Sequence, residues 1–134
     1  MSDALIAPML FHIFWVAMLY VLLTVMRAPK IWGIGARPDG TNPFAALEPR
    51  ASANLSNQFE WPVLFYAICT LLIARPELYQ PIYLWFAWLF VFGRIIHSVV
   101  QIFTANIRLR GIIFTINFVA VMCMWVVLGL SVLD

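Results

Sequence analysis

Apolar residues run along this chain in four long blocks, Ala4 to Met26, Leu55 to Ala74, Pro81 to Phe103 and Gly111 to Leu133. The stretches between them hold ten of the fourteen charged residues and five of the eight prolines. Each block is close to the ~20 residues that cross a bilayer core as a helix. A spanning strand would need the period-two alternation of a closed barrel, which is absent, and an open strand would leave backbone groups unpaired in hydrocarbon. The pattern therefore predicts an all-α integral membrane protein, a bundle of four transmembrane helices that uses residues 1–134 as one domain.

The connecting segments set the expected topology. The first carries Arg27, Lys30, Arg37 and Arg50, the second only Arg75, and the third Arg108 and Arg110. Under the positive-inside rule, loops one and three are cytoplasmic and both termini face the non-cytoplasmic side. The first loop, Ala28 to Pro49, contains Pro38-Asp39-Gly40 and Asn42-Pro43 and reads as a series of reversals rather than a helix. Ala74-Arg75-Pro76 and Gln80-Pro81 bracket a short second loop, so the second and third spans are expected to be antiparallel neighbours.

Composition strengthens this picture. The 134 residues are 64% hydrophobic and 10% charged, with a mean hydropathy of +0.94. A soluble domain of this length has no core large enough to hide so much apolar surface. A formal charge of +2 with no basic run excludes a nucleic-acid footprint. Cys69 and Cys123 lie within apolar blocks and behave as small hydrophobes rather than as a disulfide framework. The first residues lack the positive region of a cleavable signal peptide, so the first helix is expected to be retained.

Polar residues at membrane depth carry the candidate chemistry, because a charge there costs at least ~2.5 kcal/mol on insertion scales and needs a partner or a wet cavity. Asn54, Asn57 and Glu60 recur every three residues at the start of the second block, and Arg94, His97 and Gln101 recur at three and four in the third. Each set forms one helical stripe. Glu60, Arg94, His97 and Asn117 all fall roughly 10 Å inside the cytoplasmic boundary. They are expected to meet in one layer, with Glu60 and Arg94 as an ion pair and a basic, half-buried cavity opening to the cytoplasm. Interhelical hydrogen bonding alone is the alternative reading of such a cluster. His12 reads as an interfacial side chain near the outer boundary with no role, and Trp15, Trp61, Trp85, Trp88 and Trp125 as interface anchors and lipid-facing bulk. Two histidines at opposite depths supply no metal-ligand set, so no metal is expected.

Arg94-x-x-His97-x-x-x-Gln101 followed by Arg110, sixteen residues after Arg94, resembles the glutathione-binding signature of the membrane-associated proteins in eicosanoid and glutathione metabolism, the MAPEG family. Asn57-x-x-Glu60, with Pro62 and Phe65 downstream, is similar to that family's Asn-x-x-Glu segment. The resemblance covers Arg50 to Phe118 and is closest to small bacterial members, which implies a bacterial inner membrane. It further implies a homotrimer with glutathione between subunits, held by Arg50, Asn54, Asn57, Glu60, Arg94, His97 and Gln101. Arg110 would be the catalytic activator, since a guanidinium beside sulfur favours thiolate over thiol. The function so implied is a glutathione-dependent transferase or peroxidase acting on a lipophilic small-molecule substrate that arrives through the membrane lipids.

The pattern also departs from that of the prostaglandin and leukotriene synthases. Gln101 stands where a Tyr is usual, Gly111 and Phe114 replace a Ser and a Tyr, and the Arg expected at Ala53 is displaced to Arg50. Two other functions therefore stay open: a lipid- or glutathione-binding member without catalysis, and a structural accessory subunit of a membrane complex.

Overall fold

A computed structural model describes residues 1–134. The chain is wholly helical: α1 (Ile6–Trp32), α2 (Glu48–Asn57), α3 (Val63–Ala74), α4 (Ile82–Phe103) and α5 (Ile107–Leu133), with single 3₁₀ turns at Ser2–Leu5 and Pro76–Leu78. Three helices are long and apolar enough to cross a membrane, namely Ser2–Trp32, α4 and α5.

The second apolar block differs from the expected continuous span. It is divided between α2 and α3 by an irregular turn over residues 58–62. Pro62 accounts for the break, since it has no N–H to donate and its ring collides with the carbonyl four residues earlier, that of Gln58. The 12 residues of α3 extend about 18 Å at the helical rise, well short of a ~30 Å hydrocarbon core.

The first loop is also shorter than its turn formers indicate. Helix α1 runs past Met26 and through Pro29 to Trp32, and it stops where Gly33 adopts a left-handed φ of 71° and returns its N–H to the Pro29 carbonyl. Asn42 ties the loop back by donating to the Met26 carbonyl at 2.9 Å. At the same end of the bundle Asn106 caps α5, its Oδ1 accepting the Leu109 N–H at 3.0 Å.

Two apolar cores form. Leu5, Phe65, Ile68, Phe90, Val121 and Met124 belong to one, and Leu19, Leu23, Met26, Ala51, Leu55 and Ile102 to the other. Along α1, His12 separates the residues of the first core from those of the second, and along α4 the stretch from Arg94 to Gln101 does the same. A buried polar layer is thus sandwiched between two hydrophobic ones. Beside it α4 lies very close to α5, because a Cβ at Gly93 would stand 1.6 Å from Asn117 Oδ1. Only a glycine permits that approach.

Candidate functional site

The polar layer is ordered by one residue that can only donate. Arg94 is fully buried, and its Nε–H donates to Gln58 Oε1 at 3.1 Å. That fixes which end of the Gln58 amide faces it. The same oxygen accepts from His12 Nε2 at 2.9 Å, so Nδ1 of the neutral ring is left to accept the Tyr66 hydroxyl proton at 2.5 Å. On its other side, Gln58 Nε2 donates to Asn54 Oδ1 at 3.3 Å, and Asn54 Nδ2 donates to Gln101 Oε1 at 2.9 Å. The Gln101 oxygen is thereby occupied, and its amide N–H₂ remains free to donate. Ser98 joins the layer, accepting from Trp15 Nε1 and donating to the Arg94 carbonyl, both at 3.0 Å.

Gln101 faces two adjoining hollows that also share Arg110. The smaller, about 220 Å³, is lined by Asn57, His97, Gln101, Arg110, Gly111 and Phe114. The larger, about 370 Å³, adds Arg50, Ala53 and Thr104, with Arg50 Nη1 donating to the Thr104 carbonyl at 3.3 Å. Two guanidinium groups and a free amide N–H₂ make this a donor-rich, cationic space suited to carboxylates.

Of the eight residues singled out by the sequence, Asn57, His97, Gln101 and Arg110 gather around the small hollow, Arg50 enters the larger, and Asn54 reaches both through Gln101. Arg94 and Glu60 line neither. The expected Glu60–Arg94 ion pair is not formed; the two ion pairs present are Arg27–Glu48 at 2.7 Å and Arg75–Glu77. Arg94 is met instead by Gln58 and by the Trp61 ring, whose centroid lies 5.5 Å from its Cζ. The stripe that placed Glu60 beside Arg94 assumed an unbroken helix, whereas the turn before Pro62 carries Glu60 outward to an exposed position.

His12 is a second correction, for it is 1% exposed and bonded at both ring nitrogens. Its helical chain begins at Ser2 with Leu5 already buried, so ten residues at the helical rise carry His12 about 15 Å deep. Trp15 and Trp61 likewise serve inside the bundle, the latter packed edge-on against Phe90, Phe114 and Phe118. Gln58, the hub of the layer, was missed, although its four-residue spacing from Asn54 is a readable helical signal.

Several buried polar atoms have no partner: Nη1 and Nη2 of Arg94, Nδ1 of His97, and both amide atoms of Asn117. Such groups are costly in a low-dielectric interior and call for an acceptor or donor from outside the chain. A family model described as the MAPEG family matches residues 5–130. The chain belongs to the MAPEG family. No curated protein and no solved structure matches it significantly. Membership in this membrane family and the three long apolar helices together make it an integral membrane protein. The family is associated with glutathione, and the donor set of this MAPEG protein fits such a ligand: Arg50, Arg110 and the Gln101 N–H₂ suit its carboxylates, while the Asn57 amide can pair with a peptide group.

Proposed function

We propose that this MAPEG protein is a glutathione-dependent transferase or peroxidase for lipophilic electrophiles in a bacterial inner membrane. The observation that carries the reading is the cationic hollow in which Arg50, Arg110 and the directed amide of Gln101 converge. In this reading residues 1–134 form one four-span domain, with α2 and α3 together as the second crossing. Both termini lie on the non-cytoplasmic side and the hollow opens to the cytoplasm. Three copies complete the sites. Exposed Glu60 reaches toward a neighbouring subunit, and the unpartnered Arg94 nitrogens receive an acceptor there or from the ligand.

When bound, glutathione supplies the thiolate that displaces a leaving group from an electrophilic carbon or, with a second glutathione, reduces a hydroperoxide to an alcohol and water and leaves as the disulfide. Arg50 and Gln101 anchor carboxylate, Asn54 holds the Gln101 amide in its donating orientation, and Asn57 and His97 line the wall between. Arg110 remains cationic at any working pH and favours a negative charge at sulfur. The apolar partner enters from the bilayer.

Calorimetry of the detergent-purified protein should show glutathione binding, and an aryl electrophile should be conjugated at a measurable rate. Arg110→Ala is expected to lower kcat/KM at least about a hundredfold, some 2.7 kcal/mol of transition-state stabilisation. Unchanged turnover would remove Arg110 from the role of activator. A binding-only function is favoured by one feature, the absence of any hydroxyl side chain on the wall formed by Asn57, His97, Gln101, Arg110, Gly111 and Phe114; tight binding with no conjugation would decide for it. No binding at millimolar glutathione would leave a structural accessory role.

A further inference from the structure

A separate pocket of about 370 Å³ lies between α1 and the turn leading into α3, lined by His12, Ile13, Val16, Gln58, Phe59, Val63 and Tyr66. Ile13, Phe59 and Val63 are each more than half exposed, so its mouth opens on the side of the bundle. It shares no residue with the two hollows around Arg110. Its level in the fold is that of the buried polar layer, because His12 and Gln58 belong to both. With α1 crossing the bilayer, an opening at that level faces hydrocarbon rather than water. The volume falls at the lower end of the range for small-molecule pockets.

The chemistry of the wall selects a class of ligand. No charged side chain lines it, so an ionised head group would enter without a counter-charge at membrane depth. His12 and Gln58 are buried and Tyr66 is half-buried, which makes the phenol the polar group that a ligand reaches first. The direction of the hydrogen bonds decides what the phenol offers. Arg94 sets the Gln58 oxygen, the Gln58 oxygen sets the His12 tautomer, and His12 Nδ1 takes the Tyr66 proton. With its proton committed, the Tyr66 oxygen presents only lone pairs. It needs a ligand that donates.

We propose that this pocket binds a neutral, hydroxyl-bearing amphiphile from the bilayer, such as a long-chain alcohol, with the hydroxyl donating to Tyr66 and the chain lying against Ile13, Val16, Phe59 and Val63. The site is independent of the glutathione reading and stands or falls apart from it. It is nevertheless connected to the cationic hollow, since the bonds from Tyr66 through His12, Gln58 and Asn54 end on Gln101. An occupant that pulls on the phenol therefore bears on the residue that donates into the hollow.

The test uses the full chain in phosphatidylcholine nanodiscs with a diazirine-bearing hexadecanol as photoprobe. Saturable labelling of residues 12–16 and 59–66, competed by hexadecanol but at least tenfold less well by hexadecane or hexadecanoate, is the expected result. Labelling that rises linearly, maps elsewhere or is competed equally by hexadecane overturns the proposal. Tyr66→Phe should weaken the alcohol's half-saturation about fivefold, the size of one neutral hydrogen bond at membrane depth, and leave a hydroxyl-free probe unaffected. Val16→Trp fills the cavity without touching a polar group, so it should abolish the saturable labelling while the thermal midpoint holds. Wild-type labelling of Val16→Trp overturns the proposal even if Tyr66→Phe does not fold. An oligomer in which a second copy shields the mouth from every probe overturns it equally.

Discussion

The polar layer has two sides that obey opposite rules. Toward α1 and α2, His12, Gln58, Asn54, Ser98 and Trp15 are each bonded to a neighbour in the same chain. Toward α5, the Arg94 Nη atoms, His97 Nδ1 and the whole Asn117 amide are buried with nothing to bond. Both sides lie at one depth and use the same residue types, so cost of burial does not distinguish them. Completeness does. A satisfied network fixes helix positions by itself, whereas an unsatisfied one is held in place by the rest of the fold and gains energy when something else arrives.

The largest expected effect is on the satisfied side. Gln58→Leu would strand Arg94 Nε, His12 Nε2 and Asn54 Oδ1 together, and at about 1–3 kcal/mol for each buried group left unmade the bundle should lose about 3 kcal/mol or more. Thermal unfolding in detergent, checked by titration with a denaturing surfactant, measures this. A loss below about 1 kcal/mol would mean that the network is not a stabilising unit. Next in size is Gly93→Ala, where the added methyl would overlap the Asn117 side chain. Overpacking of this kind costs about 1–3 kcal/mol. Adding Asn117→Ala should restore most of the loss, and failure of that rescue would place the strain elsewhere.

A smaller and sharper contrast comes from one substitution made on both sides. Asn54→Leu removes a donor and an acceptor that are in use and should destabilise by about 1 kcal/mol. Asn117→Leu removes two atoms that are unused and should raise the stability of the ligand-free protein by a similar amount, since an unmade bond no longer has to be buried. The signs, rather than the sizes, carry the test. If both variants lose stability equally, Asn117 has a partner in the assembled protein even without ligand. If Asn117→Leu gains stability but binds glutathione more weakly, the unsatisfied side is the binding side.

The same division explains how much was legible in the sequence. The long helices could be read because length and apolarity are sufficient conditions for a membrane span. Arg94, His97 and Gln101 share the buried face of α4 because that helix is continuous, so positions i, i+3 and i+7 stay on one side. Glu60 was misplaced because the same periodicity was carried across a break that Pro62 imposes. His12 was misread because its partners, Gln58 and Tyr66, lie 46 and 54 residues away, and no local pattern announces contacts of that range. Gln58 shows the intermediate case, readable from Asn54 by spacing but hidden by a motif in which it is a variable position.

The smallest effect lies outside the layer altogether, at Asp39 in the first loop. Its carboxylate accepts from the Thr41 hydroxyl at 2.7 Å and from the Thr41 backbone N–H at 3.0 Å, and these bonds hold its pKa below the ordinary value of 3.8. A depressed carboxyl contributes stability that is fully present above the unfolded pKa and is lost as pH falls through the folded one. The window is therefore the acidic range below about pH 4. The group is fully exposed, so the consequence is confined to the turn that precedes Asn42. Amide resonances of residues 37–42 should titrate with a midpoint below that of an unstructured aspartate. A midpoint at or above the unstructured value would show that the Thr41 contacts do not persist in solution.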